Sequence, residues 1–189
     1  MVSKKIHATT EILTGLMMLT TVLLGYFPQP EIMYEFTCIS NTLCSIILLT
    51  DGILRYQNKQ VPALIWQCAL SCMCTVAITI AFELSGYHFF NFSGAFLFLH
   101  GVNPVIVIVL YIIANPKPMR HHYFVAPICV MAYALFDIVR FAITGKLVYD
   151  LVAPEILNIW SVLLIGTGLY AVEVAIVYGI SKLTQCTHE

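Results

Sequence analysis

The chain has 189 residues, of which 60% are hydrophobic and 10% charged, and its formal net charge is −1. A soluble globular domain is about 45–50% apolar and about 25% charged, so this composition excludes a domain that buries one core in water. The basic residues form neither a stripe nor a tail, which argues against a nucleic-acid partner. We therefore expect residues 1–189 to form a single all-α integral membrane domain in contact with the lipid bilayer.

Six apolar segments are long enough to span a membrane, because a bilayer core of about 30 Å needs about 20 apolar residues in a helix. The predicted spans are residues 8–27, 32–54, 62–83, 91–114, 122–144 and 156–180. The first span ends at Gly25–Pro28 without a small-x-small cleavage site, so we interpret it as a retained helix and not as a signal peptide. Short links between the spans predict a bundle of six helices in which neighbours are antiparallel.

The basic residues at the ends of the spans predict the orientation. Most of them fall at the N-terminus, in the second and fourth loops or at the C-terminus: Lys4, Lys5, Arg55, Lys59, Lys117, Arg120 and Lys182. The loops on the opposite side carry only Lys146, beside Asp150 and Glu155. The positive-inside rule therefore predicts that both termini are cytoplasmic, in a multi-pass protein of the plasma (inner) membrane.

Polar side chains inside the apolar segments form two groups, and such residues are functional candidates because they are costly in a bilayer. Six of them fall in the predicted outer halves of helices 2, 4 and 5: Thr37, Asn41, His100, Asn103, Asp137 and Arg140. On each helix the two members are three or four residues apart, so they share a face. The second group, Glu11, Asp51 and Glu173, is expected near the cytoplasmic helix ends, where such residues snorkel or cap.

Thr37, expected about two turns into helix 2, and His100 have the residue types of a nucleophile and its base. A hydroxyl needs an adjacent base, and a third group usually holds that base in one tautomer. Asp137 is the available carboxylate for this role. The candidate donors to a developing oxyanion are Asn41, Asn103 and Arg140. Pro104 cannot donate to the His100 carbonyl, so we expect the helix to open there and to line a cavity.

Each of these residues also has a structural interpretation. A threonine in a membrane helix usually bonds back to its own i−4 carbonyl, and a buried histidine can simply link two helices. Asp137 and Arg140 can neutralise each other within one helix. Cys38 is a rival nucleophile, but it lies about 100° around the helix from Thr37.

Three short motifs resemble those of a known family. Phe36–Asn41 reads F-T-x-x-S-N, Leu99–Pro104 reads L-H-x-x-x-P, and Arg140–Gly145 reads R-x-x-x-T-G, followed by Tyr149 and Pro154. From about residue 30 to 155 the chain is similar to a family of small bacterial six-span membrane proteins. That family is similar in turn to the eukaryotic androgen-induced-gene membrane proteins, which hydrolyse fatty acid esters of hydroxy fatty acids. The resemblance implies that Thr37 is an intramembrane nucleophile and His100 its base.

Three hypotheses for function follow. The first is an intramembrane threonine hydrolase that acts on a fatty-acyl ester without a cofactor. The second is a non-catalytic protein that binds a lipid or small molecule, or a small transporter, although no broken-helix pair or inverted repeat supports transport. The third is a b-type haem protein, which would need two deep histidines where only His100 qualifies. We expect no metal site, because Cys68, Cys72 and Cys74 form C-x3-C-x-C, which is not a zinc spacing.

Overall fold

A computed structural model describes residues 2–86, 90–149 and 157–186, whose regular elements are helices, with no strand among them. Six helices are long and apolar enough to cross a membrane, which confirms the predicted all-α multi-pass architecture. They are α1 (Val2–Tyr26), α2 (Phe36–Tyr56), α3 (Ala63–Ser85), α4 (Ala95–Ala114), α5 (His122–Thr144) and α6 (Ile159–Cys186). Asp150, Pro154, Glu155 and the predicted start of the last span at residue 156 lie outside the described residues.

The six spans define two sides of the bundle. Residues 2 and 186 fall on one side, called the terminal side, and the links that follow α1, α3 and α5 reach the other, called the loop side. Helix α2 begins later than the predicted residue 32, because Pro30–Ile32 forms a separate 3-10 turn and Glu35 is extended, at φ −61° and ψ 144°. Thr37 is therefore the second residue of α2, at its open N-terminus, and not two turns inside the helix.

Helices α1 and α2 pack so closely that their backbones approach at two glycines. A Cβ atom on Gly15 would lie 2.9 Å from the Ser45 carbonyl oxygen, and one on Gly52 would lie 2.8 Å from the Ala8 carbonyl oxygen. Both distances are shorter than real Cβ contacts, so a larger residue would push the helices apart. Small residues at crossings let membrane helices gain van der Waals contact, which is a main driving force for their association.

The bundle has a central helix, α2, and a peripheral helix, α6. In the most apolar stretch of α2, 56% of the residues are buried, whereas in α6 the share is 6%. Trp66 and Met73 of α3 and Val107 of α4 pack with α2 in the largest buried cluster. Large apolar side chains of α6, such as Leu164, are exposed on the surface that lipid would cover in a membrane.

The acidic residues near the terminal ends of α1 and α2 were expected to snorkel or to cap a helix. Instead, the bundle encloses their side chains. Glu11 and Asp51 are both 0% exposed. Arg55 lies between them, with Nε 3.0 Å from Glu11 Oε2 and Nη2 2.8 Å from Asp51 Oδ2. Asp51 also accepts hydrogen bonds from the Val61 amide at 2.7 Å and the Trp66 indole at 3.1 Å. These contacts tie α1 to α2 and to the start of α3.

Candidate functional site

The side-chain amides of Asn41 and Asn103 tie α2 to α4. Asn41 Nδ2 donates to the Thr37 carbonyl at 2.8 Å and, across the helix pair, to the Leu99 carbonyl at 3.2 Å. Asn103 Nδ2 donates to Asn41 Oδ1 at 2.8 Å and to Thr21 Oγ1 of α1 at 3.1 Å. An amide nitrogen carries two hydrogens, so these bonds use both hydrogens of each residue. The two asparagines therefore position the surrounding segments, and in this conformation neither is free to donate to an oxyanion.

A π-helical turn, Phe98–Val102, shapes α4 around His100. The Asn103 amide, which is the first after this turn, donates to the Phe98 carbonyl five residues back. The next bond in the same register would need an N–H from Pro104, so the Leu99 carbonyl loses that partner. The Asn41 side chain supplies the replacement hydrogen bond. The sequence predicted that the His100 carbonyl would lack its backbone donor because of Pro104. In the π-helical register the carbonyl that lacks this donor is that of Leu99, one residue earlier.

The imidazole of His100 is held by a backbone carbonyl. His100 Nδ1 lies 2.9 Å from the Asn91 carbonyl oxygen, which can only accept. The neutral ring therefore carries its hydrogen on Nδ1, and Nε2 presents a lone pair. In the part of the chain that the structure describes, the buried Nε2 atom has no hydrogen-bond partner. Asn91 thus takes the orienting role that the sequence suggested for Asp137.

Aromatic rings surround His100. The rings of Phe90, Phe92 and Phe96 have centroids 5.7, 5.4 and 6.0 Å from the imidazole, and Phe96 is stacked on it. The side chain of His100 is only 3% exposed. Phe90 also contacts Tyr149, at 6.0 Å between ring centroids. An apolar enclosure of this kind excludes water and favours the neutral imidazole.

Thr37 pairs with Tyr149 in this conformation. The Thr37 amide donates to the Tyr149 hydroxyl at 3.4 Å, and the two side-chain oxygens are 3.5 Å apart. Burial raises the pKa of Tyr149 to about 12, so its phenol stays protonated at neutral pH. No hydrogen bond joins the Thr37 hydroxyl to His100 among the described residues. The Tyr149 hydroxyl therefore occupies the polar position at the N-terminus of α2, where amide groups and the helix dipole favour negative charge.

Asp137 and Arg140 hold the link that carries Tyr149. Asp137 Oδ1 accepts a hydrogen bond from the Val148 amide at 2.7 Å. Arg140 donates to the Lys146 carbonyl at 2.7 Å and to the Tyr34 hydroxyl at 3.0 Å, with its guanidinium carbon 4.5 Å from the Tyr34 ring centroid. Within the described ranges, no ion pair of 4.0 Å or less joins Asp137 to Arg140. The pair therefore acts on the site indirectly, through the link that follows α5.

Glu35 is a carboxylate next to the site that sequence reasoning missed. It directly precedes α2, and its Oε2 accepts a hydrogen bond from the Tyr26 hydroxyl at 2.8 Å. Burial raises the pKa of Glu35 above its ordinary value, while the Tyr26 hydrogen bond acts in the opposite direction. Its position before F-T-x-x-S-N was a possible signal, but the predicted span of residues 32–54 included it without a role.

An apolar pocket of about 520 Å³ lies between α5 and α6. Its volume falls within the range of about 300–1,000 Å³ that is common for small-molecule sites. Leu135 and Leu163 line it and are more than half exposed, so the pocket opens on the surface that would face lipid. Tyr149 and Asp137 contribute polar groups to the lining, whereas Thr37 and His100 do not belong to it. Tyr149 therefore connects the pocket to Thr37.

The described residues contain no group of three or more His, Cys, Asp or Glu side chains placed to hold a metal ion. Of the three cysteines considered as a metal motif, Cys72 faces Cys129 of α5, with 3.4 Å between the two sulfur atoms. No protein-family model, curated protein or solved structure matches the chain significantly. The site is therefore interpreted from its own geometry and from the three motifs.

Proposed function

We propose that this chain is an intramembrane hydrolase of fatty-acyl esters, with Thr37 as the nucleophile and His100 as the base. The observation that carries the proposal is His100 Nε2, a buried nitrogen with no hydrogen-bond partner in the described part of the chain. An imidazole that is fixed in one tautomer by the Asn91 carbonyl and keeps its other nitrogen free has the properties of a general base. The resemblance of the motifs supports the same two residues.

The substrate enters the pocket between α5 and α6 from the lipid and brings its ester carbonyl toward Tyr149. The carbonyl oxygen replaces the Tyr149 hydroxyl at the Thr37 amide, where the N-terminus of α2 stabilises the negative charge that develops on it. His100 Nε2 takes the proton of Thr37 Oγ1 while Oγ1 bonds to the carbonyl carbon. The ester C–O bond then breaks, and the leaving alkoxide receives the proton from His100.

Water completes the reaction. A water molecule from the loop side gives a proton to His100 Nε2 and attacks the acyl-threonine, which releases the fatty acid and returns the proton to Thr37 Oγ1. Because the Thr37 hydroxyl pairs with Tyr149 in the conformation described, Tyr149 has to move when the substrate binds. By the positive-inside rule, we assign the loop side to the exterior of the plasma (inner) membrane.

A fluorophosphonate probe tests the nucleophile and the base directly in detergent-solubilised protein. We expect Thr37→Ala to abolish labelling and His100→Ala to slow it by about 10²–10⁴-fold, as is usual when a general base is lost. Thr42→Ala is the matched control, because the Thr42 hydroxyl lies on the same helix and donates to the Cys38 carbonyl at 2.8 Å. Unchanged labelling in both Thr37→Ala and His100→Ala, with folded protein, would contradict the mechanism.

The second candidate is a non-catalytic protein that binds one acyl chain. It is favoured by the lining of the pocket, which includes Tyr149 but neither Thr37 nor His100. Native mass spectrometry of the wild type and of Thr37→Ala separates the two functions. Equal retention of an acyl lipid by both proteins, together with absent probe labelling of the wild type, would support binding alone.

A further inference from the structure

The facing surfaces of α3 and α6 carry a line of polar residues, the polar seam: Gln67, Ser71, Glu173 and Ser181, which are buried, and Thr75, which is partly buried. On α3 the three members are spaced by four residues, and on α6 the two are spaced by eight, so each set lies on one helix face. Gln67 and Ser181 meet at the end nearer the terminal side, at 2.9 Å from Gln67 Nε2 to Ser181 Oγ. Glu173 meets Ser71 and Thr75 deeper in the bundle.

Glu173 lies near the middle of the membrane-spanning helix, and not at its cytoplasmic end as the sequence suggested. It is 14 residues from Ile159 and 13 from Cys186, which places it about 20 Å along the helix from either end. Its side chain is 0% exposed. A carboxylate at this depth is costly unless a cation or a proton neutralises it.

The described residues provide no cation for Glu173. No Lys, Arg or His nitrogen in this part of the chain lies within 4.0 Å of its carboxyl oxygens. The titratable groups that face α6 from the neighbouring helices include a thiol, two phenols and a carboxyl: Cys74 of α3, Tyr111 of α4, and Tyr123 and Asp137 of α5. On α6 itself, Tyr170 donates to the Phe124 carbonyl. None of these groups carries a positive charge that could balance a carboxylate.

The hydrogen bonds around Glu173 are all satisfied when the side chain is a neutral acid. Thr75 Oγ1 lies 2.8 Å from Glu173 Oε1 and 3.0 Å from the Ser71 carbonyl oxygen. A hydroxyl has one hydrogen, so it cannot donate to both oxygens. With Thr75 donating to the carbonyl, a proton on Glu173 Oε1 donates to Thr75 Oγ1. The Ser71 hydroxyl donates to the other carboxyl oxygen at 2.8 Å.

Two helical turns toward the terminal side, the same seam presents an acceptor without a donor. Gln67 is 0% exposed, and its Oε1 atom has no hydrogen-bond partner among the residues described. Its Nε2 atom contacts Tyr111 and Ser181, whose hydroxyl oxygens are 2.8 Å apart. A buried acceptor left open beside two hydroxyl groups is suited to a mobile proton donor.

We propose that Glu173 is a proton-binding site in the interior of the membrane, and that the polar seam connects it to the terminal side. The bound proton completes the hydrogen bonds between α6 and α3. Its loss removes the donor to Thr75 and leaves a charge that only hydroxyl groups contact. Because α6 is the least buried helix of the bundle, it is the element that this change would displace.

Infrared spectroscopy of the full-length protein in detergent tests this site directly. We expect the wild type at neutral pH to show the carbonyl band of a protonated carboxylic acid, and Glu173→Gln to lose that band. The glutamine amide can donate to Thr75 and accept from Ser71, so this variant keeps the contacts of the neutral acid. Glu31→Gln, at an exposed position, is the matched control and should leave the band unchanged. A carbonyl band that is unchanged in Glu173→Gln would mean that the band does not come from Glu173, and would overturn the proposal.

Labelling with an apolar carbodiimide gives a second readout. The O–H of a protonated carboxyl adds across a carbodiimide N=C bond, and rearrangement leaves an N-acylurea on the side chain. Peptide mapping should find this adduct on Glu173 and show less of it as the pH rises. Asp51, which is equally buried but accepts hydrogen bonds from Arg55, the Val61 amide and the Trp66 indole, should stay unmodified. Adducts on Glu11 or Asp51 without one on Glu173 would contradict the proposal.

Discussion

Buried polar groups are accommodated differently at two edges of this bundle. We call the interface between α1 and α2 the tight edge and the region around α6 the open edge. Between α1 and α2, Arg55 shares its single charge with Glu11 and Asp51, His7 contacts Glu11 at 3.1 Å, and glycines bring the two backbones into contact. Between α5 and α6 there is an open apolar pocket, and Glu173 on α6 is hydrogen-bonded to the hydroxyl groups of Ser71 and Thr75 on α3. At the first edge, side chains of the bundle itself contact the buried polar groups. At the second edge, the pocket leaves space for a ligand, and the carboxyl group of Glu173 can bind a proton.

This difference separates polar residues that hold the bundle together from those to which we assign the proposed functions. Thr37 and His100 lie between the two edges, on α2 and α4, and are held from the tight side by Asn41 and Asn103. From the open side, Tyr149 reaches Thr37. Displacement of the Tyr149 side chain would therefore leave the contacts that Asn41 and Asn103 make from the tight side unchanged.

The largest loss of stability is expected from Arg55→Ala. Removing one partner of a buried ion pair costs about 3–5 kcal/mol, because an uncompensated charge remains. Here two carboxylates, Glu11 and Asp51, would lose their counter-charge. Denaturation by SDS, followed by circular dichroism, measures the change, and the exposed Lys59 provides the control variant Lys59→Ala. A loss no greater than that of the control would mean that this cluster does not hold the tight edge together.

Gly52→Leu should have the next largest effect. The new side chain would meet the backbone of α1, and overpacking of this kind typically costs about 1–3 kcal/mol. Gly168→Leu on α6 is the matched control, since a Cβ atom there meets nothing within 4 Å. The same denaturation assay should show a clear loss for the first variant and almost none for the second. Equal losses would remove the distinction between a tight and an open edge.

The sequence predicted the spans well because hydropathy is averaged over about 20 residues, so single turns and caps hardly affect it. It failed at the start of α4, which begins at Ala95 and not at residue 91, and at the start of α2, where one proline and one extended residue delay the helix by four positions. That local shift moved Thr37 from the helix interior to the helix N-terminus. The shift matters for the proposed function, because the amides at a helix N-terminus have no partner within the helix, whereas those of the interior do.

For the site, helical spacing was sufficient to group Asn41 with Thr37 and Asn103 with the His100 segment. It could not identify the Asn91 carbonyl as the partner of His100, because every residue has a carbonyl and a loop has no periodicity. Asp137 was expected at the histidine because carboxylates commonly hold that position. In the structure the Val148 amide is its partner instead. The helix contacts followed from residue type and period, whereas the loop contacts required coordinates.

A smaller effect, visible only as a dependence on pH, is expected at Glu35. Burial raises the pKa of Glu35 above its ordinary value of 4.5, so between these two values the folded state binds more protons than the unfolded state. Stability must then fall as the pH rises through this window. Glu35→Gln should remove that part of the fall, and Tyr26→Phe should extend the window upward because it deletes the opposing hydrogen bond. Glu31→Gln is the exposed control, and a wild-type profile parallel to that of Glu35→Gln would exclude this role.

The smallest change in stability, and the sharpest test of the comparison, is expected from Ala134→Phe. Ala134 lines the pocket between α5 and α6, so a phenyl ring can occupy space that is already present and should change the stability by less than about 1 kcal/mol. The same ring would block an acyl chain, so probe labelling and lipid retention should both be lost. Ile143→Phe, on the exposed surface of α5 outside the pocket lining, should affect neither. Retained labelling in Ala134→Phe would mean that substrate reaches Thr37 by another route, and a large loss of stability would mean that the open edge is packed as firmly as the tight one.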